Sequence, residues 1–242
     1  MMSNMSVADE NSLNPPGAER VAARALVLSA VSCRGLIEKD AHEPGAEVLR
    51  QNVIRWLNDI GIASELESIE ITLLSTPLGK LDRKAEMDAT WQSESTVVLA
   101  WALRHASLPP FNVECDPNKI ADAIGFLDDP KGTPLHNPRL RASEEIEIWA
   151  DTYLTLHWRL RQFSWDPRPM DFVSYVSACE WGPLRLDHVE ILDRDLAIDG
   201  IRLDKLEYSA FRNALSITQE RHKAFNWLLG FEALYSEVTT DT

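Results

Sequence analysis

The sequence predicts a mainly α protein: a single multi-helix domain, orthogonal or bundle-like, with a small β-meander near residues 184–203. Segments with apolar residues at helical spacing fill most of the chain up to about residue 180. The stretch "LRLDHVEILDRDLAIDGIRL" then alternates apolar and polar residues, which is typical of short strands. A length of 242 residues, with 45% hydrophobic and 26% charged residues, is typical of a globular chain that buries a sizeable core.

The N-terminal stretch "MMSNMSVADENSLNPPG" differs from the rest of the chain. It has no apolar run and ends in two prolines and a glycine, so residues 1–17 are interpreted as a disordered lead-in and residues 18–242 as one helical domain. It lacks the basic flank and apolar segment of a signal peptide. The chain also lacks the run of about eighteen apolar residues that spans a bilayer. We therefore expect a cytoplasmic protein with no membrane partner.

Net charge limits the classes of partner that we expect, and cysteine content limits the kinds of disulfide or zinc site. The 38 acidic and 24 basic residues give a net charge of -14, which repels phosphate backbones, so we expect no nucleic acid partner. A basic protein surface fits this charge better. The three cysteines form no CxxC pair, which argues against a disulfide framework or a zinc ribbon, and Cys33 is interpreted as a small buried hydrophobe.

The first three predicted helices lie before residue 77. The segment from Val21 to Glu38 is apolar on two faces, as a central helix is. A second helix follows and stops near Gly61. Ser64, with Glu67 three residues later, predicts a capping box at the start of the third helix.

The remaining elements follow from local start and stop signals. "WQSESTVVLAWALRHASLPP" predicts a helix at the hydrophobic centre that ends at Pro109, and Asp116 followed by Pro117 starts the next helix. Ser143 opens a long helix, and a last one runs from about Leu206 to Gly230. Asp199 and Gly200 between "LAI" and "IRL" predict a hairpin turn, which is favoured over a calcium loop there.

Glu94 is the main candidate for a functional residue. It shares a helical arc with Trp91 and Trp101, an unusual place for a carboxylate. If the helix begins near Thr90, Glu94 lies in or near the first turn; if it begins near Asp82, Glu94 is mid-helix and partly buried. A structural role is favoured, with an arginine as partner. The arginines considered are Arg24, Arg34, Arg159 and Arg161.

Histidines and tryptophans on apolar helix faces raise two further hypotheses. His157 and His222 lie on the stripes of their helices, and a cluster of both with Glu94 would resemble the metal sites of helical bundles. The carboxylate-x-x-His pair of such sites is absent, so we predict no metal and no cofactor. Trp158 and Trp165 lie away from the core stripe, so either a second layer covers them, which is favoured, or they form a contact patch.

Several separated blocks carry a family resemblance. They are "RALVLSAVSCRGLIE", "LLSTPLGKL", "WQSESTVVLAWAL" with the following "LPP", "ERHKAFNWLLGFE" and the terminal "TDT". In this order they resemble the bacterial family catalogued as domain of unknown function 4272. The resemblance implies one family domain over most of the chain and no catalytic residues, because the activity of that family is unassigned.

Two functional hypotheses follow from the sequence. It lacks GxxxxGK[ST], GxGxxG, HExxH and GxSxG motifs, which favours a non-catalytic cytoplasmic protein-binding module, an adaptor or a neutraliser of a basic partner. The alternative is an enzyme or a small-molecule or metal binder with an inter-helical pocket. The residues predicted for that pocket are Glu94, Trp91, Trp101, His157 and His222. Enzymatic activity and oligomeric state stay open.

Overall fold

The computed structural model describes residues 13–241 and confirms the mainly α class. The helices are α1 Ala18–Leu36, α2 Pro44–Asp59, α3 Ser68–Ser75, α4 Arg83–Ala102, α5 Pro117–Ala123, α6 Ser143–Trp165, α7 Phe172–Ala178 and α8 Tyr208–Leu228. The strands are β1 Ile191–Leu192, β2 Asp195–Ile198 and β3 Ile201–Arg202. Most of the predicted lead-in, residues 1–12, lies outside the described residues.

The four long helices form the core of the fold. Helix α1 packs on α4, α4 packs on α8, and α8 packs on α6. Helix α1 is buried on more than one side, with Val21, Leu26 and Leu28 at most 1% exposed, as its two apolar faces predict for a central helix. No helix within residues 13–241 is both long enough and apolar enough to cross a bilayer.

The small sheet follows the predicted meander. Strands β1, β2 and β3 pair antiparallel in chain order, with Ile198 opposite Ile201 across the β2–β3 turn. Asp199 and Gly200 form this turn with φ angles of 52° and 74°, the left-handed values that a two-residue hairpin needs. The hairpin prediction is therefore confirmed.

Some predicted helix boundaries are confirmed and others are wrong. Asp116 caps α5, as predicted. Ser64 does not cap α3, because it lies within a short 3-10 helix, Ala63–Glu65; Glu67 is the N-cap and forms the capping box with the third helical residue, Glu70. Helix α4 ends at Ala102, short of the prolines, because Arg104 adopts a left-handed φ of 68° that an α-helix cannot continue through.

Four arginines are almost completely buried, at most 1% exposed: Arg24, Arg34, Arg159 and Arg221. Each makes a salt bridge with at least one carboxylate and donates to at least one backbone carbonyl. Arg159, for example, binds Asp195 at the start of β2 through Nε and Nη2, at 2.7 and 2.6 Å, and so fixes the meander to α6. Buried guanidinium groups therefore satisfy carbonyls of segments that lie outside helices.

The contact between α1 and α4 depends on a glycine. A Cβ at Gly35 would lie 2.7 Å from the Thr90 backbone nitrogen and 2.9 Å from the Ala89 Cβ. We expect Gly35→Ala to force the two helices apart and to lower the free energy of unfolding by about 1–3 kcal/mol. Urea denaturation measures this.

Gly45→Ala is the matched control for that substitution. Gly45 is also helical, but no atom lies within 4 Å of the position that a Cβ would take there, so alanine should be neutral or stabilise by about 0.5–1 kcal/mol. Equal effects of the two substitutions would contradict tight packing at Gly35.

Candidate functional site

Glu94 lies mid-helix and forms a buried ion pair. Helix α4 begins at Arg83, capped by Asp82, so Glu94 is well past the first turn and only 1% exposed. Its Oε2 accepts from Nε of Arg221 at 2.8 Å, and its Oε1 accepts from the backbone amide of Cys115 at 2.8 Å. Arg221 was not among the arginines predicted as its partner. That prediction is wrong because helical spacing within α4 carries no information on which face of α8 it meets.

The other donors of Arg221 are also satisfied. Its Nη1 donates to the carbonyls of Pro109 and Pro110 and to the Tyr153 hydroxyl, at 2.9 to 3.0 Å. Its Nη2 donates to the Val113 carbonyl at 2.8 Å. Burial, with the Glu94 charge as the next cause, raises the pKa of the neighbouring Cys115 thiol to about 12, so it stays protonated. With every polar atom engaged inside the protein, this group of residues acts as scaffold.

The two stripe histidines meet each other. Their Nδ1 atoms are 3.0 Å apart and both residues are 2% exposed, so one neutral imidazole donates to the other. Burial lowers the pKa of His157 to about 4 and that of His222 to about 3. The hypothesised cluster with Glu94 does not form, because Glu94 is bound to Arg221 and the imidazoles to one another. Within residues 13–241 no three His, Cys, Asp or Glu side chains are placed to hold a metal ion.

The candidate tryptophans differ in their surroundings. Trp101 is 4% exposed and packs edge-on against Trp149 and Phe225, which is a core position, whereas Trp91 is partly buried. Trp158 is covered by a second layer, as predicted: the Tyr175 ring stacks on it, and the two ring centres are 4.2 Å apart. The covering layer does not reach Trp165, which is 73% exposed at the end of α6 and lies against the Arg161 guanidinium.

Polar side chains converge elsewhere, in a cleft of about 370 Å³ between α3, α4, α8 and the turn at Tyr235–Glu237. We call it the acidic cleft. Its polar lining residues are Glu67, Glu70, Lys84, Asp88, Gln92, Gln219, Glu220, Lys223, Tyr235 and Ser236. Its apolar lining residues are Val31, Ile69, Leu73 and Ala89.

Three of the four carboxylates in the acidic cleft have internal partners. Glu67 and Glu70 form salt bridges with the buried Arg24 at 3.2 and 2.7 Å, and Asp88 pairs with Lys84. Burial opposes the ionisation of Glu67, but backbone amides and Arg24 outweigh it and lower its pKa. Burial of Glu70 outweighs Arg24 and raises its pKa. These three groups hold the walls of the cleft together.

Glu220 is the fourth carboxylate and lacks such a partner. Among residues 13–241 no basic nitrogen lies within 4 Å of it, and its hydrogen bond from Ser95 is long, at 3.4 Å. Burial therefore raises the pKa of the Glu220 carboxyl, against the more distant attraction of Lys223. The Lys223 ammonium lies instead over the Tyr235 ring, 5.0 Å from its centre.

Two further polar atoms of the acidic cleft lack protein partners. The Tyr235 hydroxyl is buried, in a residue only 3% exposed; the Ser95 hydroxyl lies near it, but no hydrogen bond of good geometry reaches it from residues 13–241. Oε1 of Gln92 is also buried and has no hydrogen-bond partner among residues 13–241. The Gln92 amide nitrogen faces the Asp88 carbonyl at 3.4 Å, and a carbonyl only accepts, which fixes the orientation of the amide. Buried polar atoms without partners are rare and require an explanation.

A second cavity, of about 260 Å³, lies between α1, α4 and α5, and it differs in character. No charged residue lines it, and its Ser29, Ser93 and Thr96 hydroxyls donate to carbonyls of their own helices. Burial raises the pKa of Cys33, which also lines it, to about 11. Within residues 13–241, no buried side-chain nitrogen or oxygen of this cavity lacks a partner, so the acidic cleft is the stronger candidate site.

Sequence reasoning missed the acidic cleft, although one signal was present. Ile217 and Ala224, three residues before and four after Glu220, are apolar, which predicts that Glu220 shares an apolar face of α8, and the structure leaves it partly buried there. Such a glutamate, like Glu94, requires either a partner or a raised pKa. Gln92 and Tyr235 carried no comparable signal, since they come from distant segments.

The fold and site define a mainly α protein with an internally paired core and an acidic cleft between its helices. Comparison with known families shows that the chain belongs to the family described as Domain of unknown function (DUF4272), which matches residues 2–177. The match ends before the meander and α8, so Arg221 and Glu220 lie beyond it. Comparisons with curated proteins and with solved structures found no match.

Removing the charge of Glu94 tests its scaffold role. Glu94→Gln leaves the buried Arg221 guanidinium without a counter-charge, and we expect the free energy of unfolding to fall by about 3–5 kcal/mol. Chemical denaturation measures it. Glu232→Gln, at an exposed glutamate, is the control and should change stability by less than about 0.5 kcal/mol. If Glu94→Gln lowered the free energy of unfolding by less than about 0.5 kcal/mol, the scaffold role would be contradicted.

The histidine pair should make stability depend on pH. The folded state keeps both imidazoles neutral, while the unfolded chain takes up protons below its ordinary pKa of 6.5. Stability is therefore complete above pH 6.5 and falls as the pH drops towards 5, by at most about 1.4 kcal/mol per pH unit for each histidine.

The check is urea denaturation between pH 7.5 and pH 5 of the unsubstituted protein and of a variant with both His157→Gln and His222→Gln. We expect a shallower pH dependence in the double variant. His42→Gln, at an exposed histidine outside the pair, is the control for replacing a histidine by glutamine. An unchanged slope in the double variant would show that the pair does not titrate as described.

Proposed function

We propose that the protein is a non-catalytic binding module whose site is the acidic cleft and whose ligand is the cationic group of a basic partner. One observation carries this proposal: Glu220, Gln92 and Tyr235 line one cleft, and the Glu220 carboxylate, Gln92 Oε1 and the Tyr235 hydroxyl all lack a strong partner within residues 13–241. Burying a carboxylate without an ion pair costs stability, and such arrangements are concentrated at functional sites.

An ammonium group supplies the donors that these three acceptors lack, and because the Tyr235 hydroxyl and Gln92 Oε1 are themselves buried, it reaches them only when the side chains that line the cleft move apart. It offers three N–H donors and no acceptor, while a carboxylate, an amide oxygen and a phenol oxygen can each accept one. A bound ammonium would also supply the counter-charge that Glu220 lacks. Ligand binding would thus satisfy polar atoms that the protein leaves unsatisfied, and it would favour cations over neutral or anionic groups.

An enzyme or small-molecule binder built around Glu94 and the stripe histidines has less support. The polar atoms of Glu94 are bound to Arg221 and the backbone, and the imidazoles are bound to each other. The buried Cys115 thiol is protonated and held in the same network, so it offers no nucleophile. Binding without catalysis is the simpler function for this chain.

Composition and cysteine chemistry support the wider setting of the proposal. The net charge of -14 attracts basic surfaces and disfavours nucleic acids, so we propose a basic protein as partner. The three cysteines are all free thiols, which agrees with a reducing compartment, and we propose the cytoplasm.

The proposal is tested with n-butylammonium chloride, which carries the terminal group of a lysine side chain, by NMR titration at pH 7.5. We expect binding of this cation and none of n-butanol, its neutral counterpart. Glu220→Gln should weaken binding of the cation by at least about tenfold, because it removes the carboxylate that would pair with the ammonium. Glu232→Gln is the control and should bind as the unsubstituted protein does.

The stability of the same variant separates a binding role from a structural one. Because the folded state raises the pKa of Glu220, ionising it costs stability, and this cost grows as the pH rises above the unfolded pKa of about 4.5. Glu220→Gln removes that cost and should increase the free energy of unfolding at pH 7.5. A variant that loses stability and still binds n-butylammonium normally would contradict the proposal.

A further inference from the structure

The acidic cleft is the middle part of a longer groove across α3. One neighbouring cleft, of about 460 Å³, shares Glu67 and Ser236 with it, and another, of about 410 Å³, shares Leu73 and Asp88. Ile69 lines all three. The two outer clefts have only Ile69 in common, so the acidic cleft lies between them. A groove of three adjoining clefts is larger than a small amine requires.

Charge is balanced at both ends of the groove and unbalanced in the middle. The first outer cleft is lined by two basic and two acidic residues, Arg20, Arg24, Glu65 and Glu67. The second is likewise lined by Lys80, Lys84, Asp82 and Asp88. The acidic cleft has four carboxylates against two lysines, and although Arg24 of the adjoining cleft pairs with Glu67 and Glu70, Glu220 is left without an ion pair among residues 13–241. The groove therefore matches a ligand with one cation at its centre and uncharged groups on both sides.

Large apolar side chains are exposed along this groove. Ile69, at the junction of the three clefts, is 66% exposed, and Leu234 in the first outer cleft is 43% exposed. Val31, Leu73 and Ala89 form apolar walls of the acidic cleft. Apolar walls leading to polar acceptors suit the lysine side chain, whose aliphatic stem packs on apolar surface while its head binds polar groups.

We infer that the groove binds an extended peptide segment of a partner protein, with one lysine side chain in the acidic cleft and uncharged residues in the two outer clefts. This inference rests on the proposed function and adds the class of partner. Lysine fits better than arginine because three separate single acceptors match the three N–H donors of an ammonium, whereas a guanidinium is planar and favours two-point contact with one carboxylate.

The test uses libraries of blocked peptides of about seven residues, which span about 23 Å when extended. The central residue is lysine, and the others are drawn from alanine, leucine, valine, serine and glycine. Matched libraries carry arginine, acetyl-lysine or norleucine at the centre. Binding is measured by fluorescence anisotropy and compared with n-butylammonium by NMR titration.

We expect the best lysine peptides to bind at least about 100-fold more tightly than n-butylammonium, because they also fill the outer clefts. The arginine, acetyl-lysine and norleucine libraries should bind at least about tenfold more weakly than the lysine library. Leu234→Ser should weaken peptide binding at least about fivefold and leave n-butylammonium binding unchanged, since Leu234 lines only an outer cleft. Leu192→Ser, at an exposed leucine of β1, is the matched control and should change neither.

The outcomes separate this inference from the proposed function. If n-butylammonium binds and depends on Glu220 but no lysine peptide binds more tightly, the peptide inference fails and cation binding stands. If arginine peptides bind as tightly as lysine peptides, the selection of lysine fails. If neither n-butylammonium nor any lysine peptide binds, both the inference and the proposed function fail.

Discussion

The buried ion pair between Arg221 and Glu94 is the interaction on which the rest of this fold depends. It joins α8 to α4, and its remaining hydrogen-bonding atoms bind Pro109, Val113 and Cys115 in the non-helical segment between α4 and α5. Those backbone groups have no helix or strand to pair with, and burying them unpaired would cost free energy. One guanidinium and one carboxylate therefore hold two helices and a long connection in a single arrangement.

Two glutamates at the contact between α4 and α8 have the same side chain in opposite electrostatic environments. Glu94 forms a salt bridge with the Arg221 guanidinium at 2.7 Å, so its burial supports the fold. Glu220 is one residue before that guanidinium in the sequence and lies beside Ser95 instead, so its charge is opposed by its surroundings. The first arrangement is complete without a ligand, whereas the second leaves an acceptor that a ligand can use.

Local signals predicted local structure well and long-range pairing poorly. The Asp199–Gly200 turn, the Asp116 cap and the two-faced α1 depend on neighbours in sequence, and the structure confirms them. The partner of Glu94 lies 127 residues away, and nothing in the sequence distinguishes Arg221 from other arginines on apolar faces. The acidic cleft is still harder to predict from the sequence, because it joins side chains of α3, α4, α8 and a C-terminal turn. Periodicity within one helix does not indicate which other segments its side chains contact.

The distance in sequence between Glu94 and Arg221 also affects how the chain is made. A ribosome adding about 5–20 residues per second needs roughly 6–25 s to extend the chain from one residue to the other. During that interval the nascent chain carries the Glu94 carboxylate on α4 without its partner, and a connection whose carbonyls lack the donors of Arg221. Helix α8 completes both, so the core can reach its final state only when the chain as far as about residue 228 has left the exit tunnel.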